Sequence, residues 1–138
     1  MSNRIIFTRP DGGVSIIIPA PEISIARALQ DVPADASNVE VVEADAVPAD
    51  RTFREAWKQE GKALAVDVPK AKDIAHVIRR AKRAEEFAPH DQVISLRLPG
   101  EEAAEAERVA IRAKYALVQD DIDAAESPDE LKLILTAV

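Results

Sequence analysis

The chain of 138 residues contains no cysteine, four glycines and two histidines. The absence of cysteine excludes disulfides, thiolate nucleophiles and cysteine-ligated zinc. Aromatic residues make up 4% of the chain and include one tryptophan, so few side chains are available for stacking on bases. No apolar run is long enough to span a bilayer, and we expect no secretory leader at the N-terminus.

The charge is predominantly of one sign. Lysine and arginine together number 18 and aspartate and glutamate 25, which gives a net charge of −7. This sign disfavours nonspecific binding to nucleic acid or to anionic membranes, so we expect neither as a partner. Alanine, in contrast, is abundant, at 25 of 138 residues, and much of it recurs at helical spacing in the second half of the chain.

The first half of the chain has the pattern of a small antiparallel sheet. Two β-branched runs flank Asp11-Gly12-Gly13 and predict a β-hairpin. Pro21 predicts a short helix over residues 22–30, with Ile25, Ala26 and Leu29 facing inward. A third strand is predicted over residues 39–43 and a second hairpin over residues 56–68. Residues 51–58 fit either a turn of helix or a strand.

Residues 70–88 predict a long helix, because they contain neither glycine nor proline and carry an apolar stripe at helical spacing. The stripe consists of Ala71, Ile74, Ile78, Ala81 and Ala88, with Val77 and Ala84 beside it. Asp67 is expected to cap this helix, with Pro69 in its first turn. Pro89 and His90 are expected to end it, and residues 91–99 fit either a helical continuation or an extended linker.

A second long helix is predicted over residues 101–125. One face forms a heptad seam of Ala103, Ala106, Ala110, Ala113 and Leu117. A second apolar stripe consists of Ile111, Tyr115, Val118 and Ile122. We interpret the alanine seam as a surface for close helix pairing, and we expect the helix to pack against two neighbours.

The charges of the two long helices predict an antiparallel hairpin. Arg79, Arg80, Lys82 and Arg83 cluster late in the first helix, and Glu101, Glu102, Glu105 and Glu107 cluster early in the second. These clusters are expected to lie side by side and to disfavour parallel pairing. The chain then predicts a short amphipathic helix, with Ser127 as N-cap, Pro128 in the first turn and Glu130 completing a capping box.

These patterns together predict an α+β fold with an N-terminal antiparallel sheet, an antiparallel helical hairpin and a short C-terminal helix. We expect a β-rich module over residues 1–68 and an α-helical module over residues 69–138, packed together as one unit.

No constellation of residues indicates catalysis or metal binding. His76 and His90 lack the partners at fixed spacing that a metal site requires. The acidic run over residues 120–126 lacks the glycine of a calcium loop and is interpreted as a solvated helix face. The cluster of Arg79, Arg80, Lys82 and Arg83 is interpreted as a solvated face paired with the neighbouring helix. We therefore predict no catalytic residue, no metal and no cofactor.

The segment over residues 50–58, Asp-Arg-Thr-Phe-Arg-Glu-Ala-Trp-Lys, resembles a string that recurs in small proteins encoded in the tail-gene regions of tailed phages and prophages. The surrounding motifs follow a similar order. A Pro-Asp-Gly-Gly turn and a Pro-Ala-Pro stand before this segment, and a Val-Asp-x-Pro-Lys-Ala element and an Ala-Ala-x-Ser-Pro-x-Glu-Leu-Lys ending come after it. The resemblance extends over most of the chain and is to tail assembly chaperone-like families.

The resemblance implies a noncatalytic protein that acts by protein–protein contacts in the assembly or structure of a phage tail. The implied partners are other phage tail proteins, with a homo-oligomer as a further expectation. The implied location is the virion tail or the cytoplasm of the infected or lysogenic bacterial host. Two alternatives stay open: a small enzyme of unknown reaction, and a regulatory module that uses the basic cluster around Arg80.

Two sets of residues are candidates for partner binding. The first is Arg51, Phe53, Arg54 and Trp57, since tryptophan and arginine are common at the centres of interfaces. For Phe53 and Trp57 the other interpretation is that they anchor the core, because large aromatic side chains dominate core packing. The second set lies on the alanine seam and consists of Ala106, Ala110, Ala113 and Leu117.

Overall fold

The computed structural model describes residues 2–138 and has an α+β architecture. An antiparallel sheet is followed by two long helices that pack as a hairpin and then by a short C-terminal helix. The predicted fold class is therefore confirmed. The chain divides into two compact units, one ending at Lys70 and the other spanning Ala71–Val138.

Three strands form the sheet of the N-terminal unit: β1 (Asn3–Thr8), β2 (Val14–Ile17) and β3 (Ser37–Glu43). β1 is the central strand and pairs antiparallel with both neighbours. The predicted hairpin is confirmed, and Gly12 takes a φ of 86° in its turn, a conformation that glycine adopts without steric cost. The Asp11 carboxylate accepts a hydrogen bond from Gly13 N (2.8 Å), which lowers the pKa of Asp11.

Both faces of this sheet carry buried side chains. Ile6, Val14 and Val42 pack with Trp57 in one buried cluster. Ile5 points to the opposite face, because successive side chains alternate along a strand, and it is fully buried there. The short helix α1 (Ile25–Leu29) contacts β1.

α1 differs from the helix predicted over residues 22–30. It begins later because Ser24, rather than Pro21, marks its start: the Ser24 hydroxyl accepts a hydrogen bond from Arg27 N at 3.1 Å. The residue that α1 buries is Ala28, whereas Ala26 and Leu29, which were expected to face inward, are exposed. All three residues of the predicted stripe lie within α1, so it is the orientation of the helix, which turns Ala28 inward, that differs from the prediction.

The second hairpin is also confirmed and consists of β4 (Trp57–Glu60) and β5 (Ala63–Val66). Leu64 and Val66 of β5 pack against the buried cluster that contains Trp57. Ahead of the hairpin, the chain forms a single 3-10 turn over Arg54–Ala56, so the segment that fitted helix or strand is first a turn and then a strand.

The first long helix, α2 (Val68–Ser95), begins as predicted and ends later. The Asp67 carboxylate accepts a hydrogen bond from Lys70 N at 3.2 Å, as expected of a capping residue. The expectation that Pro89 would end the helix is wrong, and the helical alternative for the following residues holds as far as Ser95. Glu86 before the proline and Asp91 after it both pair with the next helix, which holds α2 together across the interruption.

The apolar stripe predicted on α2 is correct only at its start. Ala71 is buried, but Ala81, Ala84 and Ala88 are exposed. Longer side chains take the inward positions in the second half of the helix, because they bond to the neighbouring helices. Lys82 and Glu86 are the examples.

The second long helix, α3 (Glu101–Ala124), follows Gly100 and returns antiparallel to α2. Its buried face consists of Ala104, Ile111, Tyr115, Val118 and Ile122. The stripe from Ile111 to Ile122 is therefore confirmed as a packing face. The alanine seam does not pair helices within the described residues, because Ala106, Ala110 and Ala113 are exposed.

The charge pairing predicted for the hairpin is wrong in its register. Glu86 pairs with Lys114 at 3.0 Å, and His76 lies 2.8 Å from Asp123. These two contacts place the basic cluster of α2 opposite the segment between Tyr115 and Asp123, not opposite the early glutamates of α3. The pairing between the two helices differs from the prediction because α2 continues to Ser95. The turn of the hairpin therefore follows Ser95 rather than Ala88, and each residue of α2 lies opposite a later residue of α3.

The last helix, α4 (Pro128–Thr136), matches the prediction closely. The Ser127 hydroxyl accepts a hydrogen bond from Glu130 N at 3.2 Å, and the Glu130 carboxylate accepts one from Glu126 N at 2.9 Å. Leu131 and Leu135 are buried, as expected for an amphipathic helix that packs by one face.

Candidate interaction surfaces

The segment that carries the family resemblance is built around buried aromatic side chains. Asp50 accepts hydrogen bonds from the backbone N–H and the hydroxyl of Thr52, at 2.9 and 2.6 Å, which fixes the entry into the turn. Phe53 is 2% exposed and Trp57 3%. Neither aromatic ring offers surface to a partner in this fold, so the structure supports the core-anchor interpretation for both.

The two arginines of the same segment behave differently. Arg51 and Arg54 are exposed, one on either side of the buried Phe53. Of the first candidate set, the structure therefore leaves only the arginine side chains at the surface. The aromatic and basic residues do not form one joint patch, because the aromatic rings point into the core.

The second candidate set lies together on the outer face of α3. Ala106, Ala110, Ala113 and Leu117 are all exposed, and the Leu117 side chain is 67% exposed. They face outward because the inward positions are held by the stripe that packs in the helical unit. We call these four residues the outer face of α3.

A cluster of polar side chains joins α2 to the end of α3. His76 Nε2 lies 2.8 Å from the Asp123 carboxylate, and Arg79 Nε donates to His76 Nδ1 at 3.2 Å. Lys72 donates to the backbone carbonyl of Asp123 at 2.8 Å. In the neutral imidazole one ring nitrogen donates and the other accepts, so acceptance at Nδ1 corresponds to the tautomer with its hydrogen on Nε2.

The hydrogen bonds of this cluster have a structural role, because they join α2 to the end of α3. Both ring nitrogens of His76 are occupied, and no serine or threonine takes part in its hydrogen bonds. Arg79 is 5% exposed, and its burial, with the nearby charges of Arg80 and Arg83, lowers its pKa. Within residues 2–138, no group of three or more histidine, aspartate or glutamate side chains is arranged to hold a metal ion.

The four residues of the basic cluster on α2, Arg79, Arg80, Lys82 and Arg83, do not form a common surface. Arg79 is buried, and Lys82 donates to the carbonyls of Leu135 and Val138 at 2.7 and 3.2 Å. Arg83 lies over the ring of Phe87, with its guanidinium carbon 6.0 Å from the ring centre. Arg80 is the exposed member of the cluster, and the other three charges are divided among separate internal contacts.

Two clefts lie in the N-terminal unit. The larger, of about 380 Å³, is lined by Phe7, Arg9, Ser15 and Asp35, among others. Arg9, its cationic side chain, is already engaged: it donates to Val14 O and to the Ser15 hydroxyl at 3.0 Å each. The second cleft, of about 310 Å³, is lined by the first residues of β1 and by the Pro-Ala-Pro segment.

A groove in the helical unit was not anticipated from the sequence. It lies between the end of α3 and α4, has a volume of about 340 Å³, and is lined by Asp121, Ala124, Ala125, Glu130, Leu133 and Ile134. Leu133 is 72% exposed. The sequence could have indicated the exposure of Leu133 but not the groove, since Leu133 lies on the side of α4 away from the buried Leu131 and Leu135.

Among residues 2–138, no helix has the length and apolar character needed to cross a membrane. Comparison of the chain with protein-family models, with curated proteins and with solved structures gives no match to any of them. The geometry of the surfaces and the resemblance of the sequence are therefore the grounds for a function.

Proposed function

We propose that this chain is a noncatalytic protein that acts by protein–protein contacts in the assembly or structure of a phage or prophage tail. The observation that carries the contact role is the outer face of α3. A single exposed leucine is ordinary on a protein surface. Here Leu117, however, continues a heptad-spaced series of exposed alanines, and that spacing is typical of a helix that pairs with another helix.

Small side chains on this face favour a helical partner. The distance between packed helices is about 8–10 Å and depends on the side chains at the contact, so alanines admit a partner helix at the near end of that range. Leu117 then supplies a larger apolar side chain at one end of the face. The expected contact is a partner helix laid along α3.

The assignment to a phage tail is supported by the motif order around residues 50–58. Several of these motifs have a structural part in the fold: the Pro-Asp-Gly-Gly turn connects β1 to β2, Asp67 caps α2, and Ser127 caps α4. The proposed partners are other phage tail proteins, with a second copy of the chain as a further partner. The proposed location is the virion tail or the cytoplasm of the bacterial host.

Affinity purification from a bacterium that carries the encoding phage or prophage tests this function. We expect a tail tube or tape-measure protein to co-purify with the tagged chain, and Leu117→Arg to abolish its recovery. Val77→Arg is the matched control, because Val77 is 59% exposed on α2 and lies outside the outer face of α3. Recovery of a metabolic enzyme, or equal loss with both variants, would contradict the proposal.

A further inference from the structure

The groove between α3 and α4 combines an apolar lining with carboxylates. Ala124, Leu133 and Ile134 provide the apolar lining of the groove. Asp121 and Glu130 contribute carboxylates to the same groove. Leu133 is the most exposed large apolar side chain among the described residues, at 72%. The groove therefore offers an apolar contact with negative charge beside it.

Two carboxylates, those of Asp121 and Glu130, line the groove. Asp121 and Glu130 form no ion pair in the part of the chain that the structure describes. The Glu130 carboxylate accepts a hydrogen bond from Glu126 N through Oε2, which leaves its other oxygen available. Residues 117–138 contain six carboxylate side chains and one lysine, so this end of the unit carries a concentrated negative charge.

The cations that α2 brings to this end are used internally. Lys82 donates to the carbonyls of Leu135 and Val138, and Lys72 donates to the carbonyl of Asp123. None of these lysines lines the groove. The negative charge around the groove is therefore compensated neither by the groove's own residues nor by these lysines of α2.

We infer that the groove binds a basic amphipathic helix of a partner protein. Such a helix would place a large apolar side chain against Leu133 and Ala124 and would direct lysine or arginine toward Asp121 and Glu130. Apolar anchors at helical spacing in a groove, with charges of opposite sign around it, are the recognised features of helix-in-groove binding. This inference deepens the proposed contact function and rests on it.

Charge also argues against a second copy of this chain as the occupant. Two copies paired through this groove would bring residues 117–138 of one copy against the same acidic segment of the other. The resulting like charges repel, and such repulsion suppresses an incorrect partner. A basic partner gains from the same charges.

Binding of designed peptides to the full chain tests the inference, with fluorescence anisotropy as the measurement. The probe is a labelled amphipathic peptide of about 18 residues, or five helical turns, with leucine on one face and lysine on the other. The same peptide with glutamate in place of lysine tests the role of charge. A scrambled leucine–lysine peptide tests for nonspecific attraction. We expect binding of the first peptide alone.

Matched variants place the contact on the molecule. We expect Leu133→Ala to weaken binding about tenfold or more and Asp121→Lys to weaken it by a similar factor. The controls are Val77→Ala and Asp73→Lys, which alter exposed residues of α2 outside the groove and are expected to leave binding unchanged. Each variant is expected to keep its fold because all four positions are exposed, and circular dichroism checks this.

Several outcomes would overturn the inference. They are equal binding of the glutamate or scrambled peptide, no effect of Leu133→Ala, and equal losses with Asp121→Lys and Asp73→Lys. Sedimentation that shows a dimer dissociated by Leu133→Ala would identify a second copy as the occupant and would also overturn it. Failure here is distinguishable from failure of the proposed function, which depends on tail-protein recovery and on Leu117.

Discussion

The Tyr115 phenol is 1% exposed and donates a hydrogen bond from α3 to the Glu86 carboxylate on α2. Burial, supported by this hydrogen bond and by the charge of Glu86, raises the pKa of Tyr115 to about 12. The same hydrogen bond, together with one from Lys114, lowers the pKa of Glu86. The folded state therefore favours a neutral phenol beside an ionised carboxylate.

Tyr115 gives the folded chain a specific sensitivity to alkaline pH. Its pKa is higher in the folded state than the value of about 10 expected when the chain is unfolded. The neutral phenol therefore contributes fully to the free energy of unfolding below about pH 10, and this contribution is lost as the pH rises toward 12. We expect the wild type to lose about 1 kcal/mol more unfolding free energy than Tyr115→Phe between about pH 9 and pH 11. Urea denaturation at the two pH values measures the difference.

The phenylalanine variant is the control because it retains the ring and lacks the titrating hydroxyl. Parallel losses in the two proteins would show that Tyr115 ionises in the folded state as easily as in the unfolded chain. At neutral pH, Tyr115→Phe is expected to cost about 1.5–3 kcal/mol of unfolding free energy, since it removes one hydrogen bond to a charged group. It should also return the pKa of Glu86 toward its usual range, as followed by carboxyl NMR.

His76 yields a prediction about a single proton. Because Arg79 donates to Nδ1, the neutral ring must carry its hydrogen on Nε2, where it donates to Asp123. Long-range proton–nitrogen NMR spectra above the titration range of histidine should show the Nε2–H tautomer. Replacement of Arg79 by methionine removes the donor and should allow both tautomers. An Nδ1–H tautomer in the wild type would contradict the observed arrangement.

Elements with strong local signals were predicted well from the sequence, and elements set by tertiary contacts were not. The turn at Gly12 and the cap at Ser127 specify their conformations within a few residues, so the first hairpin and α4 appear where expected. α1 and the end of α2 depend on which side chains find partners elsewhere. Glu86 and Asp91 are bonded to α3, and this tertiary pairing overrides the helix-breaking tendency of Pro89.

Pro89 leads to a prediction at the scale of this helix. A proline in a helix interior removes one backbone hydrogen bond and crowds the preceding turn, at a cost of about 3 kcal/mol. Because Pro89 is exposed, Pro89→Ala removes this cost without loss of packing. We expect the unfolding free energy to rise by about 1–3 kcal/mol, measured by urea denaturation.

The matched variant is Ala84→Pro, at another exposed position in the same helix. It should lower the unfolding free energy by about 3 kcal/mol or more, because it interrupts the helix a second time. Destabilisation by Pro89→Ala would mean that the proline, and the bend it imposes, are needed to align α2 with α3. Helical circular dichroism of both variants shows whether the helix itself changes.

At the scale of the molecule, the candidate surfaces were predictable in position but not in orientation. The heptad pattern located the alanines and Leu117 on one face of α3, and the structure turns that face outward because Ile111 and Tyr115 supply the larger buried surface. The groove beside Leu133 depends on the packing of α4 against α3, which no local pattern specifies. Phe53 and Trp57 are close in sequence to exposed arginines. Only the three-dimensional packing shows that the two aromatic side chains are buried while the arginines are not.

The expectation that the two modules fold as one unit leads to a test across the whole chain. Trp57 is the one tryptophan and belongs to the N-terminal unit, whereas Leu131 is fully buried in the helical unit. Leu131→Ala should lower the free energy of unfolding by about 2–5 kcal/mol through loss of apolar burial and the cavity left behind.

Because α2 begins before the division at Lys70 and continues beyond it, we expect the two units to unfold together. The urea midpoints from Trp57 fluorescence and from helical circular dichroism should therefore fall by the same amount in Leu131→Ala. A decrease in the circular-dichroism midpoint alone would show that the units unfold independently.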